Sequence, residues 1–83
     1  MMISPLTNLI QRYVTKEDRV LDLGCGICTP TKDLVCKVLV GVDAWKKCLF
    51  QIKEFAIPIC VNIRQLKEVF VEGSVDVALM LDT

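Results

Sequence analysis

Residues 20–31 read Val-Leu-Asp-Leu-Gly-Cys-Gly-Ile-Cys-Thr-Pro-Thr, and the order of residue types here decides the architecture expected of the whole chain. Residues 19–23 are predicted as the first strand, in which Val20 to Leu23 is a short apolar run, the mark of a buried strand, carrying one acid at Asp22. It passes directly into a Gly-x-Gly turn at Gly24 and Gly26. Thr29-Pro30 then has the pattern of a helix start, a hydroxyl cap followed by proline at the first helical position. Strand, glycine turn and helix in that order form the unit from which parallel sheets are assembled.

Upstream, Ser4-Pro5 repeats the helix-start signal, and Leu6, Leu9, Ile10, Tyr13 and Val14 follow at helical spacing, predicting a helix that ends near Thr15. Downstream, the pattern predicts a helix over 30–37, a strand over 38–43 and a helix over 46–55. Leu49, Ile52 and Phe50 are the candidates for the inward face of that last helix. A strand over 58–62 comes next, then one or two helical turns within 64–69, a turn at Glu72-Gly73-Ser74 and a strand over 75–81. Strands alternating with helices, joined by right-handed crossovers, predict an α/β fold with a parallel sheet of about four strands in the order 3-2-1-4. The switch point then falls between the first and fourth strands.

The 83 residues predict one small domain, 1–83, with a single core. Apolar residues make up 53% of the chain, so several strands are expected to be apolar on both faces, as in a parallel sheet covered by helices. Ten basic and ten acidic residues balance, and no basic block or stripe offers a nucleic-acid surface. No apolar run approaches the ~18 residues of a membrane span, and the amino terminus lacks the pattern of a secretory signal. The cysteines number five, an odd count, and histidine is absent. Cys36, Cys48 and Cys60 lie in apolar segments and read as small hydrophobes, which suits a reducing, cytoplasmic setting.

Candidate binding residues collect at the predicted carboxyl ends of the strands, where open α/β sheets hold their ligands. Gly24 and Gly26 allow backbone to approach a ligand closely. Asp43, nineteen residues after Gly24, ends the second strand, where a carboxylate can accept hydrogen bonds from ribose hydroxyls. These features suit a dinucleotide or an adenosyl ligand. Asp22 separates the two, because a carboxylate two residues before the turn repels a pyrophosphate and attracts an ammonium or sulfonium. The dinucleotide fingerprint also asks for a third glycine where Thr29 stands. The spacing of Cys25 and Cys28 suits a redox pair, but the predicted helix start comes one or two residues later than such a site needs. As zinc ligands these two thiols alone leave the ion underligated, so no metal site is expected.

Asp-Leu-Gly-Cys-Gly at 22–26, Val-Gly-Val-Asp at 40–43 and Gly-Ser-Val-Asp-Val-Ala-Leu-Met-Leu-Asp at 73–82 together resemble the class I S-adenosylmethionine-dependent methyltransferases. The likeness spans about residues 4–83. It implies a Rossmann-like three-layer sandwich, truncated relative to the family's seven strands, with S-adenosyl-L-methionine as cofactor and an unknown methyl acceptor as partner. By the same resemblance the turn Gly24-Cys25-Gly26 cradles the methionine part, Asp22 orders the site near the amino group, and Asp43 holds the ribose. Ala44 and Trp45 flank the adenine, Asn62 with the following Ile63 meets its amino group, and Asp82 lies near the methionine end. Cys28 stands where the family has its usual third glycine. No residue is singled out as a catalytic base. The expectation is a methyltransferase whose substrate-binding half lies outside this chain. The alternatives are a non-catalytic S-adenosylmethionine-binding module and an NAD(P)-binding domain. The fourth strand would form a sheet edge open to self-association or to a partner.

Overall fold

The computed structural model describes residues 5–24, 31–66 and 73–80. Four strands form one sheet: β1 (Arg19–Leu23), β2 (Val38–Asp43), β3 (Ile57–Cys60) and β4 (Val77–Leu79). All pairings are parallel and the order is β3-β2-β1-β4, as the alternation of strands and helices predicts. β1 and β2 run in register from Arg19 opposite Val38 to Leu23 opposite Val42. Both central strands are buried on their two faces, which accounts for their near-continuous apolar sequence.

Alternation along the strands divides the sheet into two faces. On one, Val20 and Leu39 pack with Ile10 and Val14 from the segment around helix α1 (Pro5–Gln11), joined by Leu34 and Cys36. Helix α2 (Lys46–Ile52) sends Leu49 and Ile52 inward against Phe55 and Ala56, which also touch that cluster. On the other face, Leu21, Leu23, Val40 and Val42 pack with Ile59, Val61, Leu66 and Val75. A short 3-10 turn over Ile63–Gln65 lies within the chain that covers this side.

Several boundaries differ from the sequence-based expectation, each for a local reason. The first helix ends at Gln11 rather than near Thr15. Its last amides switch to tighter bonds three residues back, and the Thr15 amide is taken by Asp18 Oδ2 at 2.9 Å. The buried positions there are Thr7, Ile10 and Val14, whereas Leu6, Leu9 and Tyr13 are exposed.

Over 31–37 there is a turn and then irregular chain, not a helix. The Gln11 side chain explains this: its Oε1 accepts the Val35 amide at 2.8 Å and its Nε2 donates to the Val35 carbonyl at 2.9 Å. Both backbone groups that a helix would use are thereby engaged. Cap residues Ser4, Thr29 and Pro30 lie outside the described residues.

Helix α2 stops at Ile52, not Phe55, and Phe50 faces solvent. Pro58 disfavours helical backbone at Ile57, so the chain must extend before it. β3 ends at Cys60 because Asn62 folds into a turn, and Cys60 is exposed rather than buried as a small hydrophobe. Cys36 is half-buried, as expected of that role. The turn at Gly73 is present, with φ 83°. β4 covers Val77–Leu79 of the expected 75–81; Leu81 lies outside the described residues.

Candidate functional site

Parallel pairing brings the carboxyl ends of all four strands to one edge of the sheet. Gly24 follows β1 immediately, and its amide donates to the Val42 carbonyl at 2.8 Å, extending the ladder by one bond. There φ reaches 67°, a left-handed conformation that favours glycine. The positive φ thus falls on the first glycine of the Gly-x-Gly pattern.

Asp22 is 3% exposed, a carboxylate inside the central strand of the sheet. Burial of such a group is costly unless it is hydrogen-bonded. Thr31, 1% exposed, donates its hydroxyl to Asp22 Oδ2 at 2.9 Å. The position opposite Asp22 on β2 is Gly41, which sets no side chain beside the carboxylate; the one on β4 is Leu79.

Asp43 closes β2 two residues beyond Gly41, so Asp22 and Asp43 occupy the same face of the sheet. Strand geometry puts their Cα atoms about 8 Å apart. Asp43 Oδ1 accepts the Trp45 amide at 2.9 Å, an Asx turn that carries the chain from β2 toward α2. Cys60 is paired with Asp43 across the sheet, and its thiol lies 3.5 Å from the Ala44 carbonyl. Ala44 and Trp45 are both exposed.

Asn62 stands just past β3, its Oδ1 accepting the Arg64 amide at 3.0 Å and its own amide meeting Gln65 Oε1 at 3.3 Å. Its side chain is thus a turn-former, and the carbonyl oxygen retains a second lone pair for a further donor. Ile63 opens the 3-10 turn.

The structure therefore brings Asp22, Gly24, Asp43, Ala44, Asn62 and the Ile63 backbone to one edge, as the sequence predicts. Cys25, Gly26, Cys28 and Asp82 lie outside the described residues. Sequence reasoning missed Thr31 and Gly41. The signals were present: a buried strand acid demands a partner, and a glycine inside a strand marks close approach of another group. Among the described residues no group of three acidic, cysteine or histidine side chains is placed to hold a metal ion. No helix there is long and apolar enough to cross a membrane. The Cys36 thiol is pushed up by burial, and further by the Asp18 charge, which keeps it protonated.

In comparisons with known proteins, no family model matches the chain, and no curated protein or solved structure matches it.

Proposed function

We propose that this chain binds S-adenosyl-L-methionine and forms the cofactor-holding part of a class I methyltransferase acting on an unidentified acceptor in the cytoplasm. One observation carries the reading: a buried carboxylate, Asp22, stands two residues before a left-handed Gly24 at the carboxyl end of a central parallel strand. Negative charge at that place favours a cationic ligand and disfavours a pyrophosphate. Asp43, on the same sheet face and one strand away, suits ribose hydroxyls at the distance an adenosyl ligand spans. Bound there, the cofactor supplies an activated methyl group for transfer to a nucleophile. The contribution of these residues is to position it, the effect on which such transfers chiefly rely.

Isothermal titration of the chain with S-adenosylmethionine, S-adenosylhomocysteine and NAD tests the proposal. Binding of the two adenosyl ligands without NAD is the expected result. Binding of NAD alone, or of none of the three, overturns it.

A further inference from the structure

Thr31 lies in a turn in which its carbonyl accepts the Leu34 amide at 3.0 Å, and its side chain is among the most buried of the described residues. Its hydroxyl meets Oδ2 of Asp22 at 2.9 Å from nine residues along the chain. A hydroxyl that donates to a carboxylate oxygen fixes the rotation of the carboxylate plane. Asp22 also has a cross-strand neighbour without a side chain at Gly41, and an apolar one at Leu79. Its surroundings on the sheet are therefore asymmetric, roomier toward β2 than toward β4.

We infer that Thr31 is a positioning residue that holds the Asp22 carboxylate in the orientation that receives the amine of the ligand, so that the site selects amine-bearing over deaminated ligands. The inference rests on the function proposed above and adds the residue that sets selectivity. Removing the hydroxyl leaves the negative charge in place but takes away one of the bonds that set the orientation of the carboxylate. A ligand ammonium then loses a preorganised acceptor, while a ligand without one is indifferent.

The test compares Thr31→Val, Thr31→Ser and the unmodified chain by calorimetry. The probes are S-adenosylhomocysteine and its deamino analogue, in which hydrogen replaces the amine. Thr31→Val is expected to weaken S-adenosylhomocysteine about tenfold and leave the analogue unchanged, since a hydrogen bond involving a charged group carries an effect of about that size. Thr31→Ser is expected to restore the preference. If valine at this buried place prevents folding, Thr31→Cys against Thr31→Ser makes the same comparison, because the thiol is a weak donor of similar size. Equal losses for both ligands, or no loss in a folded variant, overturn the inference alone. Failure of the unmodified chain to bind S-adenosylhomocysteine overturns it together with the proposed function.

Discussion

Arg19 grips Asp76 with both its side chain and its backbone: Nε donates to Oδ2 at 3.0 Å, Nη2 to Oδ1 at 3.2 Å, and the Arg19 amide to Oδ2 at 2.7 Å. The Asp76 amide returns a bond to the Arg19 carbonyl at 2.9 Å, and Nη2 also reaches the Gly73 carbonyl at 3.0 Å. This clamp joins the amino ends of β1 and β4, and β4 has only three paired residues of its own.

The side-chain bond from Arg19, followed by the bond from its amide, holds the Asp76 carboxyl down at about 2 from its ordinary 3.8. A carboxylate whose folded value is depressed contributes its full stability above the unfolded value and loses it as pH falls through the folded one. Asp76→Asn is therefore expected to melt at a lower temperature than the unmodified chain at neutral pH. The gap should close as pH drops from about 4 to about 2. Thermal melts across that range check this, and a gap constant with pH contradicts it.

Asp22→Asn keeps the shape of the side chain, and an acceptor for Thr31, while removing the charge. Binding of S-adenosylmethionine is expected to weaken by about tenfold or more, whereas adenosine, which carries no ammonium or sulfonium, should be little affected. Paired titrations measure the difference. Parallel losses for both ligands would place Asp22 in a structural role only.

How much of this was legible in the chain depends on where each instruction resides. The strands β1 and β2 were readable to the residue, because unbroken apolar runs buried on both faces have few alternatives. Asp22 and Asp43 were readable because position in a strand fixes position at the sheet edge. Residues 31–37 were not, since their path is set by Gln11, a side chain twenty-four residues away from Val35. Asn62 shows the same limit at shorter range, where a turn ends β3 before the apolar pattern does. Long-range side-chain bonds to backbone leave no periodic trace.

Gln11→Ala removes both bonds to the Val35 backbone, and with them the third that Gln11 makes, to the Val14 carbonyl at 3.1 Å. A loss of about 1 kcal/mol is expected in urea unfolding, with faster hydrogen exchange at the Val35 amide. An unchanged exchange rate would show that the clamp does not hold this segment.

At Gly24, φ of 67° places any side chain in the left-handed region. Gly24→Ala is expected to cost about 1 to 2 kcal/mol, seen as a lower urea midpoint with an unchanged slope. An unaltered midpoint would mean that the turn relaxes without strain.

β4 lies at an outer position of the sheet, with Ala78 exposed on it and Met80 exposed just beyond its end. Unpaired strand edges invite pairing with another chain, and a charge on the edge discourages it. The unmodified chain is expected to self-associate with rising concentration in sizing experiments, and Ala78→Lys to shift it toward monomer. A concentration-independent monomer would dispose of this expectation.

Because Asp22 and Asp43 sit on adjacent strands of one sheet face, their separation is dictated by peptide dimensions and not by any loop. The pair works as a fixed yardstick. Changes in the connecting segments can alter what lies between the two carboxylates, but a ligand that engages both must be long enough to bridge that interval, whatever else it carries.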